Sequence, residues 1–405
     1  VMAGGMASGT AMAACGGASV SRISARTPTG SALPPVPAPS ASASPDSQPS
    51  AKSKTPRIAR ISTSDPTCGI DTEGRVWRWQ AGEMESDAPQ IRGAISVDCG
   101  MDHACAIMPN GVALCWGANG LGALGDGSDK ASETPVSVAG LTSVADVSLD
   151  FDRTCARSKS GDVYCWGDSE FGKAGDGRMP DNDGREKLLP GAPILKGATT
   201  LAIADAHACS VMQDGQISCW GQNNSGACGQ PMRTRYVPRP KLVPNVKDAA
   251  QVATGESVTC MVDRAGNVSC WGSGSYRVLG PHAPADESPR DTPQSIPLPG
   301  RATEVSVGDN GHACALLENG DVYCWGQGER GQVGDGSTAV HATPVQARDI
   351  AHATQVTAGL EETCALVQDG RVFCWGKDLK VDPAGGSTDD ALVPLEMKLP
   401  APGSN

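Results

Sequence analysis

Six times along this chain, two cysteines stand ten positions apart: Cys105 and Cys115, Cys155 and Cys165, Cys209 and Cys219, Cys260 and Cys270, Cys314 and Cys324, Cys364 and Cys374. Few folds accommodate that repeat. In the copy from His312 to Gly326, setting Cys314 opposite Cys324 places Leu316 against Val322 and leaves Glu318-Asn319-Gly320 as a three-residue loop. The last residue of such a loop is left-handed, a conformation in which only glycine avoids a Cβ clash. Glycine stands there in every copy, as Gly74, Gly111, Gly161, Gly215, Gly266, Gly320 and Gly370. Each repeat therefore reads as a β-hairpin. Directly opposed residues bring their Cβ atoms to about 4.5–5.5 Å, near enough for a slightly tightened disulfide, so six cross-strand disulfides are expected.

Other uses of the cysteines fit less well. One pair offers two thiolates where structural zinc takes four ligands, and no C-x-x-C spacing suggests redox chemistry. Each copy ends in a tryptophan (Trp79, Trp116, Trp166, Trp220, Trp271, Trp325, Trp375), and only Trp77 lies outside the set. With 3 Phe and 4 Tyr in 405 residues, these rings must supply much of the large apolar surface.

The 50 glycines and 30 prolines imply many turns and few helices. A net charge of −12 argues against a nucleic-acid surface, which needs a dense basic face. Cysteines in this number are expected where disulfides persist, which implies export to an extracytoplasmic place, the cell envelope or the medium. At the N-terminus, residues 1–15 read as a signal segment. Met12-Ala13-Ala14-Cys15-Gly16 resembles a bacterial lipoprotein cleavage box, making Cys15 a candidate for lipidation and the only expected membrane attachment. Residues 16–56, rich in Ser, Ala and Pro, read as a disordered tether.

The folded region is expected over residues 57–400, with a tail at 401–405. First cysteines of successive hairpins are spaced by about 50 residues, a period that accommodates four short strands per unit and indicates an all-β propeller. After Trp-Gly comes a Gly-rich turn region, as in Gly122-Ala123-Leu124-Gly125-Asp126-Gly127, and one carboxylate apiece is too few for calcium.

The pattern running from His312 through Gly336, H-x-C-A-L-x-x-x-G-x-V-x-x-W-G followed by G-x-x-G-x-G, resembles the RCC1-like repeat, named for the regulator of chromosome condensation. That resemblance implies a seven-bladed propeller in which a strand from one terminus completes the blade at the other. Here Ile58 to Ser62 would complete the last blade, which is followed only by a short charged stretch. In the first copy Arg78 replaces the second cysteine, leaving Cys68 without its hairpin partner; its pairing, and those of Cys99 and Cys228, stay open.

Function is read from the loops. His103, His207 and His312 occupy one blade position in different blades and should lie on a ring, in structural roles. The stretch from Pro231 to Lys241 concentrates basic residues and a tyrosine among prolines, which makes Arg233, Arg235, Tyr236 and Arg239 candidates for contact with an acidic partner. The reading is a monomeric, exported, non-enzymatic propeller that binds a protein or glycan through rim loops, as scaffold or inhibitor, without cofactor or metal. An enzyme built from propeller loops is the alternative. The guanine nucleotide exchange suggested by the family name fits the charge and the cysteines poorly.

Overall fold

The computed structural model describes residues 57–62, 67–80, 83–86, 88, 90–179, 186–283, 285–381 and 388–398. The expected signal segment with Cys15, the tether and the tail lie outside the described residues. Between Ile58 and Glu396 the chain forms seven antiparallel four-stranded sheets, each contiguous in sequence, arranged as a β-propeller. The first strand of each blade lines a central channel.

The hairpins follow from the repeat. In each of them the two cysteines are directly opposed in register. The six bridges are Cys105 to Cys115, Cys155 to Cys165, Cys209 to Cys219, Cys260 to Cys270, Cys314 to Cys324 and Cys364 to Cys374, with Cα atoms 4.0–4.1 Å apart. In the sixth blade Gly320, at φ 84°, donates its N–H to the Leu317 carbonyl at 2.9 Å, closing the loop. Beyond the six expected bridges, a seventh joins Cys68 to Cys99. Arg78 stands opposite Cys68 in the first hairpin, so the thiol bridges to the first strand of the second blade instead. Cys228 is buried as a free thiol.

The tryptophans fasten one blade to the next. Trp166, Trp220, Trp271, Trp325 and Trp375 are fully buried, and each indole donates to a carbonyl in the preceding blade's Gly-rich loop: Ala123, Lys173, Ala227, Val278 and Gln332, at 2.8–3.1 Å. The loops need glycine because the ring lies so close. A Cβ on Gly125 would sit 2.5 Å from Trp166, and one on Gly334 2.7 Å from Trp375.

Closure differs from the expectation. Ile58–Ser62 does not complete the last blade; it pairs with Thr67–Asp71 as the innermost strand of the first. The last blade supplies its own fourth strand, Thr388–Glu396, from the charged stretch. Pro394 sits in that strand as Pro135 and Pro344 do in theirs, and an outermost strand tolerates proline because one side of its backbone has no ladder to serve. The ring closes with the device used between all blades. A backbone N–H just before or at the start of a first strand donates to the hairpin glycine carbonyl of the previous blade, from Ala94→Gly74 through Ala353→Gly320, and Ile58→Gly370 (3.1 Å) is the seventh such bond. The Gln355 side chain adds a two-point clasp to the Ile61 backbone, matching that of Gln251 on Val305.

Candidate functional site

Because strands alternate in direction, the loops joining first to second and third to fourth strands emerge on one face. Hydrogen bonds between them, such as Ala118 N–H to the Asp102 carbonyl and Gln327 N–H to the Gly311 carbonyl, hold the two loop sets together. Behind this face lies the channel, a cavity of about 270 Å³ lined by Ser62, Asp98, Asp150, Glu304, Asp309 and Thr357 among others.

The first-to-second strand loops share one chemistry. Six successive blades place Asp102, Asp150, Asp205, Glu256, Asp309 and Glu361 at or beside this loop. Part of the charge is neutralised: Arg153 lies 3.6 Å from Asp150, Lys173 lies 3.1 Å from Asp205 and Lys377 lies 2.8 Å from Glu361. Among the described residues Asp102, Glu256 and Asp309 have no such cation. Burial, and then the nearby Asp150, Glu256 and Asp205 carboxylates, push Asp309 up to about 7. Burial likewise raises Asp98 and Glu304 to about 7, and Asp150 to about 6. On the opposite face Asp71, Glu318 and Asp369 pair with Arg75, Arg301 and Arg371.

The repeat histidines clamp blades together. Each neighbouring threonine hydroxyl donates to a loop carbonyl, Thr154 to Ala123, Thr259 to Ala227 and Thr363 to Gln332. It is thereby left to accept from an imidazole Nε2–H: His103 at 2.8 Å, His207 at 2.6 Å and His312 at 3.0 Å. Burial lowers these histidines to about 4, about 3 and about 4 respectively, so they are neutral in the folded protein.

These shifts set an expected pH dependence. The raised channel carboxylates bind protons in the folded state that the unfolded chain has released, so their stabilisation is full below about pH 4 and lost as pH rises through 6 to 7. The depressed histidines oppose this from about pH 3–4 up to and around 6.5, where the unfolded chain takes up protons that the folded one refuses. Above about pH 6.5 the histidine effect fades as the unfolded imidazoles deprotonate, and the carboxylates dominate. The thermal unfolding midpoint should therefore fall by a few degrees between pH 6 and pH 8, as followed by tryptophan fluorescence. A rise over that interval would contradict the burial of these carboxylates.

The residues singled out in Pro231–Lys241 do not converge. Arg233 and Arg235 are exposed in the third-to-fourth strand loop of the fourth blade, with no ion-pair partner among the described residues. Tyr236 is instead half-buried and stacks on Phe171 of the third blade, with centroids 5.4 Å apart and planes at 7°. Arg239 packs beside Gly177, in the Gly-rich loop of the third blade that also carries Phe171. Two of the four thus help join blades, whereas the acidic mouth went unnoticed in the sequence. Its signal was a carboxylate one to three residues before each second strand, visible once the repeats are aligned on their cysteines.

A sequence model of the RCC1-like domain matches residues 80–403. The chain belongs to the RCC1-like domain family. It is 28% identical over 308 residues to the human E3 ubiquitin-protein ligase HERC2, covering 72% of this chain and 5% of that protein. With the ultraviolet-B receptor UVR8 of Arabidopsis thaliana it shares 28% identity over 278 residues, 66% of this chain and 62% of the relative. It thus spans less than two thirds of either relative. Among solved structures, Prp20p of Saccharomyces cerevisiae superposes with a TM-score of 0.64 at 20% identity, over 78% of this chain and 81% of the other. Human WBSCR16 does so with a TM-score of 0.67 at 19% identity, over 78% and 85%. At those identities the likeness is one of fold.

Proposed function

We propose that this RCC1-like propeller is a protein-binding module of an oxidising, extracytoplasmic compartment, engaging a basic segment of its partner on the loop-bearing face. The observation that carries this reading is that the first-to-second strand loops of six successive blades each bear a carboxylate, of which Asp150, Asp205, Glu256 and Asp309 lie close enough to interact at the channel mouth. A mouth with an excess of negative charge steers an oppositely charged partner and suppresses others. The compartment is supported by seven disulfides with buried sulfurs, a set that a reducing cytosol would not maintain. Exposed Arg233 and Arg235, on the same face at the fourth blade, would meet acidic residues flanking the basic segment. The binding of Prp20p to Gsp1p and histones shows that this fold can serve protein recognition.

The test is affinity capture by the full disulfide-bonded chain from envelope and culture-fluid extracts, at low and high salt. Retained proteins should be lost when Asp102→Asn, Glu256→Gln and Asp309→Asn are combined, and kept when Glu318→Gln and Asp321→Asn are placed on the opposite face. Retention that ignores the mouth variant would refute the assignment of the face, and glycans as the retained species would refute a protein partner.

A further inference from the structure

The blade junctions on the loop-bearing face are not alike. At five of them the start of one second strand reaches into the next blade: His103 to Thr154, Arg153 to the Ala204 carbonyl, His207 to Thr259, His312 to Thr363 and Glu362 to Thr67. Between the fifth and sixth blades the corresponding residues are Val258 and Ala313, in one apolar cluster and unable to bond. A cavity of about 300 Å³ opens there. Its lining combines the carboxylates of Glu256 and Asp309, the hydroxyls of Ser273 and Ser275, the ring of Tyr276, and an apolar base of Val258 and Val278. No lysine, arginine or histidine lines it.

The aromatic wall is held by unusual backbone. Tyr276 (φ 53°) and Arg277 (φ 61°) are successive left-handed residues, and Arg277 occupies the place that Gly122, Gly172, Gly226 and Gly331 fill in four other blades. Strain of this sort persists only where the surroundings enforce it. Tyr276 is 36% exposed, and it borders both the cavity and Gly311.

We propose that this cavity is the anchor site for one long cationic side chain, an arginine or lysine of the protein partner, whose charged head lies between Glu256, Asp309 and the Tyr276 face while its methylene stem covers Val258 and Val278. A cation over a tyrosine ring is attracted by its quadrupole, and such side chains bury their stems on apolar surface while keeping the head polar. A divalent metal ion is a poorer fit, because calcium takes six to eight oxygens and magnesium a near-ideal octahedron. No group of three or more metal-ligating side chains occurs among the described residues. The inference rests on the basic-partner reading above and adds to it the pocket that selects the side chain.

The test measures binding to the full oxidised chain of a short Gly/Ser peptide with one central arginine, against the same peptide with neutral citrulline and against butylguanidinium. Arginine should bind at least about tenfold more tightly than citrulline, as expected for a desolvated cation–π and carboxylate contact. Two sets of changes leave the mouth carboxylates intact. Tyr276→Ala removes the wall, and Val258→His with Ala313→Thr places the His–Thr clamp of three other junctions at the Val258 wall of the cavity; each should abolish the arginine preference while thermal unfolding shows the fold retained.

If the rebuilt clamp leaves arginine binding unchanged but Asp102→Asn, Glu256→Gln and Asp309→Asn together remove it, the pocket assignment falls and the acidic-mouth reading stands. If none of these changes affects binding, both fall. If butylguanidinium binds as tightly as the peptide, the site belongs to a small organic cation and the protein-anchor assignment is overturned.

Discussion

Full reduction of the seven disulfides should unfold the propeller at physiological temperature. Each hairpin bridge joins cysteines ten positions apart, and a disulfide of this kind contributes about 2–4 kcal/mol, mainly by restricting the unfolded chain. Seven such contributions, roughly 14–28 kcal/mol if they simply added, are as large as the roughly 5–15 kcal/mol by which folded domains are usually stable. The bridged cysteines are buried at 0–1% exposure, so a reductant in native buffer should act slowly, at the rate at which blades open. Near-ultraviolet circular dichroism after reduction in denaturant and return to native buffer checks the outcome, and recovery of the native spectrum with all thiols alkylated would refute it. Alkylation of the unreduced, denatured chain supplies the control. Of 16 cysteines, 14 lie in the seven bridges, so no more than two thiols, Cys15 and Cys228, should react.

The second large effect is expected at the seam between the seventh and first blades. Gln355→Ala removes both the acceptor for the Ile61 N–H (3.1 Å) and the donor to the Ile61 carbonyl (2.6 Å). Leaving a buried backbone group unpaired costs about 1–3 kcal/mol, and two are at risk here. Deleting residues 57–62 goes further. It also strips Ile58 and Ile61, 3% and 2% exposed, from the cluster that includes Trp79 and Trp375, at about 1.5–3 kcal/mol per side chain, and it breaks the Ile58–Gly370 bond. In urea unfolding the point variant should lower the midpoint, and the deletion should lower it much more or split the transition as the terminal blades open first. An unchanged midpoint in both would mean that the ring is not held at this seam. Gln251→Ala at the fifth-to-sixth junction is the comparison. The same clasp there joins blades already connected through the chain, so its loss should cost less than at the seam, where no peptide link assists.

Much of the fold was legible because it rests on local spacing. The interval from Cys314 to Cys324, with Gly320 between, determines hairpin, register and bridge within one stretch of fifteen residues, and its recurrence counts the blades. The ring position of His103, His207 and His312 was readable for the same reason: equivalent places in equivalent blades cannot converge.

What depended on neighbouring blades was not readable in this way. Cys68 pairs with Cys99 because Arg78 fills its place in the hairpin, and only the lateral packing of two blades brings the sulfurs together. Closure was misassigned because Thr388–Glu396 carries an acidic start and a proline, features that an outermost strand tolerates and a bare sequence reads as tail. Tyr236 looked like an interface anchor until Phe171, 65 positions earlier, was found stacked on it. The carboxylates of the mouth are dispersed over some 260 residues, each an ordinary surface acid in its own repeat. The sequence by itself determined the repeating unit, the number of blades and their internal staples, because those are short-range geometry. The way the ring closes, the sign of its mouth and the cavity beside Tyr276 were decided by tertiary structure alone, because they arise where residues from different blades meet.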